Sequence, residues 1–254
     1  MWVTIGGQQY RDGELGISEV LARFAEGVST SGPSPGELAE AVAGADQGDG
    51  VVVLTISRRM SGVYESARMA AASLEGYRVA VVDTGTAAGA QGLVVLAAAQ
   101  AARSGLELEE VVAAANGAAK STKLLATLPS LEHLARGGRV PGAAVWGARW
   151  LGLNPLFEFR AGRIAPLRPS RGTKAAYQRM VSAVVGEVGR ADARGGALHL
   201  AALHALAPEA ASSLLGRVEE RVEPASSFVG SFGPVMVAHT GPGLVGLAWR
   251  WEPP

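Results

Sequence analysis

The chain has no cysteine, which excludes disulfide bonds and thiolate chemistry. It has four histidines, at positions 133, 199, 204 and 239, and they are not spaced like the ligands of a metal site. The N-terminus has no basic segment followed by an apolar run, so we expect no secretory signal peptide. A chain without cysteine suits a reducing compartment, and the predicted location is the cytoplasm.

A charge imbalance and long hydrophobic runs are also missing. The 23 basic and 23 acidic side chains balance, so the chain has no excess positive charge that would attract nucleic acid or an anionic membrane surface. Alanine-rich runs such as residues 92–102 are too short and too interrupted to span a bilayer. We therefore expect no nucleic-acid partner and no stable membrane insertion.

Motifs for nucleotide-driven and zinc-driven enzymes are absent as well. No P-loop, G-x-S-x-G or H-E-x-x-H sequence occurs. Residues 241–246 match the dinucleotide fingerprint G-x-G-x-x-G formally, but only residues 247–254 follow, and the fingerprint needs a helix and a later acidic residue. We therefore predict no cofactor and no metal. The glycines still allow a ligand to approach the backbone closely.

The apolar pattern predicts an α/β fold in two domains. Residues 51–56 and 79–83 are continuous apolar runs of strand length, each followed by small residues and a helical pattern, which is typical of buried parallel strands. Residues 155–167 instead alternate like a hairpin. We predict a mostly parallel sheet flanked by helices in residues 1–150 and a second, α+β domain in residues 151–254, with a soft boundary between them.

Residues 3–5 are predicted to be a short strand, and a loop rich in hydroxyls and prolines, which begins at Ser29, precedes a predicted helix. Residues 34–37 form a capping box with proline at the first helical position, so the helix should begin at Pro35. Its first amide groups would face Thr30 and Ser31, and such a helix end can bind a small anion. The alternative is that the box simply caps a surface helix.

Three further positions are candidate functional residues. Ser61 and Gly62 follow the first apolar strand, at the edge where open α/β sheets usually bind ligands. His239 ends the apolar segment 234–239, which we predict to be a strand, and either ligand contact or a structural role fits it. Arg171 lies near a predicted helix start, where a cation gains nothing from the helix dipole, so it is either a solvated charge or a partner contact.

Six short motifs follow one another in a specific order along nearly the whole chain. They are Thr30-Ser31-x-Pro33-Ser34-Pro35, Ser61-Gly62-Val63-Tyr64-x-Ser66-Ala67, Gly137-Gly138-Arg139, Asn154-Pro155, Arg171 and His239-Thr240-Gly241-Pro242-Gly243. In this order they resemble the DegV family of bacterial fatty-acid-binding proteins.

The resemblance implies a non-catalytic lipid-binding protein that encloses a long-chain fatty acid between two α/β domains. It further implies that the protein presents the carboxylate to a separate fatty acid kinase catalytic subunit, which makes the acyl phosphate used in phospholipid metabolism. By the same resemblance, Arg171 lies on the kinase-facing surface. The residues expected around the carboxylate are Thr30, Ser31, Ser61, Gly62 and His239.

The chain also departs from the family pattern. Family members usually begin with a buried strand that ends in Thr-Asp-Ser, whereas this sequence starts at what would be the next strand. We therefore expect either a start placed too far downstream or a missing first strand, and the latter would fit a degenerate relative that binds nothing tightly. The family's usual glutamine after Thr-Ser is Gly32 here.

A catalytic alternative remains open. Ser61, His239 and Asp83 all fall at predicted strand ends, and a serine hydrolase could use them as nucleophile, base and orienting acid. The residues around Ser61 do not form a nucleophile elbow, which argues against this alternative.

Overall fold

The computed structural model describes residues 1–137, 153–160, 162–192 and 196–252. Contacts between Cα atoms divide the chain into two units. The first unit is Met1–Ser31, Lys123–Arg160 and Ile164–Pro254, and the second is Gly32–Thr122 with Ala161–Arg163. This division differs from the single boundary expected near residue 150, because the first unit takes segments from both ends of the chain.

A small antiparallel sheet opens the first unit. Its order is β2-β1-β3, with β1 at Trp2–Ile5, β2 at Gln8–Arg11 and β3 at Val28–Ser31. Val3 and Ile5 alternate with half-buried neighbours in β1 and pack against Val20, in helix α1 (Ile17–Ala22). The strand predicted at residues 3–5 is confirmed. The loop predicted from Ser29 onward is wrong for residues 29–31, which belong to β3 because their backbone pairs with β1.

The main sheet of the first unit has six strands in the order β10-β9-β11-β6-β7-β8. The predicted hairpin is present as β7 and β8, and β6 pairs antiparallel with β11 near the C-terminus. Leu200, Leu214 and Leu247 are fully buried in its core. The strands are β6 (Lys123–Thr127), β7 (Asn154–Arg160), β8 (Arg163–Ser170), β9 (Ala197–His204), β10 (Ser226–Ser231) and β11 (Val245–Glu252), and the helices of this part are α6 (Glu132–Gly137), α7 (Thr173–Asp192), α8 (Pro208–Glu219) and α9 (Pro234–Thr240).

The second unit contains the parallel strand pair that the sequence predicted. Strands β4 (Val51–Thr55) and β5 (Val79–Asp83) pair in parallel, and Val82 packs against Val94 and Val111. The helices of this unit are α2 (Pro35–Ala45), α3 (Val63–Ser73), α4 (Ala88–Arg103) and α5 (Leu108–Ser121). The predicted mixed α/β class is therefore confirmed.

One segment near the C-terminus has a different secondary structure from the one predicted. Residues 234–239 read as a strand because they are apolar and include β-branched side chains, but the structure has helix α9 there. Pro234 occupies the first helical turn and Gly241 follows the last residue, which are the usual helix start and stop signals. The strand prediction was wrong because a short apolar segment fits a buried strand and a buried helix equally well, and here the terminal signals favour the helix.

Gly138 and Arg139 of the Gly137-Gly138-Arg139 motif lie outside the described residues. In the part of the chain that is described, no helix is both long and apolar enough to cross a bilayer.

The predicted capping box at the start of α2 is present and gives a direct stability test. The Glu37 backbone N–H donates to Ser34 Oγ at 3.2 Å, and the Ser34 backbone N–H donates to Glu37 Oε2 at 2.8 Å. We expect Ser34→Ala to lower the free energy of unfolding by about 1 kcal/mol, because the Glu37 backbone N–H loses its side-chain acceptor. Urea denaturation measures the change, and Ser34→Asp, which keeps an N-cap acceptor, should lose much less.

Candidate functional site

A pocket of about 460 Å³ lies in the first unit, beside β3 and α9. Thr30 contributes to its wall from β3, and His239 contributes from the last turn of α9. Its other lining residues include Phe24, Ser29, Arg136 and Ala238. The pocket therefore combines polar residues, an aromatic ring and a guanidinium group.

The side chains of Thr30 and His239, which both line this pocket, are hydrogen-bonded to each other. Thr30 Oγ1 and His239 Nε2 are 2.7 Å apart, although the residues are separated by 209 positions in the sequence. Both side chains are half-buried. Two of the expected site residues are thus brought together in the first unit.

Strand alternation sets the direction of the hydroxyls on β3. Thr30 pairs with the buried Val3 of β1, and its side chain is more buried than those of its neighbours Ser29 and Ser31. Successive side chains of a strand point to opposite faces. Ser31, which was also expected in the site, is therefore exposed on the face opposite Thr30.

Helix α9 is held at both ends, and this fixes the position of His239. At its start, the Val235 backbone N–H donates to Asp12 Oδ1 at 3.1 Å. At its end, Gly241 has φ +70° and ψ 177°, and an added Cβ would lie 2.6 Å from His133 Nδ1. The glycine is needed there for its backbone conformation and for the close approach of the imidazole.

An aromatic and cationic group that the sequence interpretation missed lies beside the pair. The rings of Phe24 and His133 have centroids 4.7 Å apart at 55°. Arg136 Cζ lies 6.0 Å from the Phe24 ring centroid, and Arg136 Nη2 is 2.7 Å from Glu132 Oε1. The available signal was the position of Arg136, directly before the Gly137-Gly138-Arg139 motif.

Ser61 and Gly62 belong to the second unit and lie where the sequence predicted, between β4 and α3. Gly62 is the residue before the first turn of α3, and the Val63 backbone N–H lies 3.4 Å from Ser61 Oγ. Asp83, at the end of β5, accepts hydrogen bonds from the backbone N–H groups of Arg58 and Gly85 at 3.2 and 2.9 Å. The Asp83 carboxylate therefore stabilises turns at this edge of the strand pair.

Arg171 is exposed in the turn between β8 and α7, directly before Gly172, which has φ +83°. This placement leaves its guanidinium accessible to solvent. Among the described residues, no group of three or more His, Cys, Asp and Glu side chains is arranged to hold a metal ion.

The fold and the pocket define a mixed α/β protein of two units with a hydroxyl–imidazole pair in a partly cationic pocket. The chain belongs to the DegV family: the family model described as "Uncharacterised protein, DegV family" matches residues 1–252. A DegV domain-containing protein of Streptomyces coelicolor is 38% identical over 227 residues, which cover 87% of this chain and 77% of the relative.

Solved structures of the family are also similar. One is a DegV family protein from Thermus thermophilus that is described for its fatty acid binding. It matches with a TM-score of 0.88 at 31% identity, and the match covers 98% of this chain and 89% of the Thermus chain. A DegV lipid-binding protein from Thermotoga maritima has a TM-score of 0.85 at 25% identity, over 100% of this chain and 90% of its own. The recognised resemblance to this family is thereby confirmed.

Gly241 provides a test of how the end of α9 is held. We expect Gly241→Ala to lower the free energy of unfolding by about 1–3 kcal/mol or more, because its φ and ψ are nearly exclusive to glycine and the new methyl would contact His133. Gly44→Ala is the matched control: it lies within α2 with open space around it, and should be neutral or stabilising by up to about 1 kcal/mol. Equal effects in urea denaturation would contradict this role of Gly241.

Proposed function

We propose that the protein binds a long-chain fatty acid whose carboxylate contacts Thr30 and His239. The observation that carries the proposal is the 2.7 Å contact between Thr30 Oγ1 and His239 Nε2 in the wall of a 460 Å³ pocket. The related proteins described as fatty-acid- and lipid-binding support the ligand class.

The chemistry of the pair suits a carboxylate. A threonine hydroxyl can accept a hydrogen bond from the imidazole N–H and at the same time donate its own hydrogen to a second acceptor. His239 Nε2–H would thus orient the Thr30 hydroxyl, and the hydroxyl would donate to the carboxylate. Pairing is necessary because an unpaired carboxylate in an apolar setting costs several kcal/mol.

The acyl tail would supply most of the affinity. A palmitate-like chain has about fourteen methylenes, and at about 0.8 kcal/mol each their burial contributes on the order of 11 kcal/mol before the costs of ordering. The head group then determines orientation and selectivity. Such a site needs neither a nucleophile nor a general base, so we propose a lipid-binding protein and not an enzyme.

Ser61 and Gly62 remain predicted contacts of the same carboxylate. The proposal assigns to this carboxylate the Ser61 hydroxyl and the Gly62 backbone N–H, and it includes Ser31 and the first amide groups of α2. Support comes from their place between a strand end and a helix start, where N–H groups without a helical acceptor occur.

We also propose that the protein presents the carboxylate to a fatty acid kinase subunit in the cytoplasm. The product would be an acyl phosphate for phospholipid metabolism. The exposed position of Arg171 supports a role in partner docking, since an accessible guanidinium can pair with carboxylates of another protein.

The ligand can be tested on protein purified under native conditions. We expect extraction and mass spectrometry to reveal a long-chain fatty acid, or added palmitate to bind. Thr30→Val should weaken palmitate binding by about tenfold or more, because a buried carboxylate loses a charged hydrogen bond, while Thr30→Ser should retain most of the affinity. Thr122→Val is the control, since the Thr122 hydroxyl donates to Ala118 O at 2.7 Å in the second unit.

Two outcomes would overturn this function. One is the absence of any acyl chain in the extract together with no binding on addition. The other is ester hydrolysis that Ser61→Ala abolishes, which would favour the hydrolase alternative with His239 and Asp83.

Arg171 can be tested separately from the ligand. We expect Arg171→Ala to leave palmitate affinity unchanged and to slow phosphorylation of the bound fatty acid by the kinase subunit, because only the docking cation is lost. Arg221→Ala, another exposed arginine, should change neither quantity. Equal loss of binding and phosphorylation in Arg171→Ala would mean that Arg171 acts at the ligand and not at the partner.

A further inference from the structure

Arg136 contributes a permanent positive charge to the pocket that contains the Thr30–His239 pair. All three residues line it. Among the described lining residues, Arg136 is the one whose side chain is always charged at neutral pH, and none of them is acidic. The proposed function uses the hydroxyl and the imidazole but assigns no role to this guanidinium.

The guanidinium is held near the pocket by an aromatic platform. Its Cζ atom lies 6.0 Å from the centroid of Phe24, whose ring packs against His133 at a centroid distance of 4.7 Å. An arginine over an aromatic face is attracted by the ring quadrupole. The charge therefore has a defined position beside the pocket.

The present partner of Arg136 can be exchanged at little cost. Arg136 Nη2 contacts Glu132 Oε1 at 2.7 Å one helical turn earlier, and the two side chains are 61% and 58% exposed. Exposed ion pairs of this kind contribute little to stability. A ligand anion could take the place of the Glu132 carboxylate, or share the guanidinium with it.

The neighbouring acid does not compete for this cation. Glu26 follows the pocket residues Phe24 and Ala25, and its carboxylate receives hydrogen bonds from Arg23 Nε and Nη2, both at 3.0 Å. The hydrogen bond from Arg23 lowers the pKa of Glu26, which keeps this acid ionised and paired. The charge of Arg136 is thus left for the pocket and for Glu132.

We infer that Arg136 selects the ligand head group by charge, and that it pairs with the phosphoryl group of a bound acyl phosphate more strongly than with a carboxylate. This inference rests on the proposed fatty-acid function. The terminal phosphoryl group of an acyl phosphate resembles that of a phosphate monoester, which carries a charge of about −1.5 to −2 and three acceptor oxygens. A guanidinium can donate to two of these oxygens at once. Arg136 would then retain the product while Thr30 and His239 orient the acyl head.

The experiment compares three ligands that share one tail: palmitate, hexadecyl phosphate and hexadecan-1-ol. Affinity is measured by displacement of a fluorescent fatty acid from the full-length protein. We expect Arg136→Gln to weaken the binding of hexadecyl phosphate by about tenfold or more. Palmitate binding should weaken by less than about threefold, and binding of the alcohol should not change. Arg136→Lys should lose part of the preference for phosphate, because it keeps the charge without the planar fork.

Glu132→Gln changes the same interaction in the opposite direction. Removing the carboxylate that occupies the guanidinium should strengthen hexadecyl phosphate binding by a few-fold and leave hexadecan-1-ol unchanged. Arg78→Gln is the matched control, because Arg78 forms a similar exposed ion pair with Glu109 at 3.1 Å in the second unit. It should affect none of the three ligands.

The outcomes separate this inference from the proposed function. If Arg136→Gln weakens the binding of all three ligands equally, Arg136 only supports the pocket wall. If neither Arg136→Gln nor Glu132→Gln changes the affinity for hexadecyl phosphate, Arg136 does not contact the head group. Either result overturns this inference and leaves the proposed function standing. If the unaltered protein binds none of the acyl ligands, the proposed function fails and this inference fails with it.

Discussion

The hydrogen bond between Thr30 and His239 depends on the exact placement of strand β3 and helix α9 in the first unit. It joins residues 209 positions apart, so it forms only if β3 pairs with β1 in register and if α9 ends at the correct residue. The register pairs Thr30 with the buried Val3, and the conformation of Gly241 sets the end of α9. A one-residue shift in β3 would reverse its faces and turn Thr30 away.

The pocket combines interactions with different ranges and directions. A hydroxyl–imidazole pair is short-ranged and directional, so it orients an acceptor. The guanidinium of Arg136 acts over a longer distance, and its attraction to the ligand becomes stronger as the negative charge of the ligand increases. Under the proposed function, they would together distinguish two forms of one ligand head group, the free carboxylate and the acyl phosphate anhydride made from it.

Local sequence signals were sufficient to predict those helices and strands whose formation depends on residues close together in the chain. The capping box at residues 34–37 and the apolar runs of β4 and β5 predicted their elements well, because caps and buried strands impose short-range patterns. Segment 234–239 was mispredicted because its apolar residues fit a buried strand and a buried helix equally well. Residues 29–31 were predicted to be a loop, because their strand exists only through pairing with β1.

The sequence by itself determined the mixed α/β class, the family and the residue types available to the site, because these follow from composition, local periodicity and ordered motifs. Only the tertiary structure decided which of those residues meet: it placed Thr30 against His239, turned Ser31 to the opposite face of its strand, and brought Arg136 and Phe24 to the same pocket. The physical reason is that such contacts depend on strand register and helix packing between segments far apart in the chain, and no local pattern encodes those.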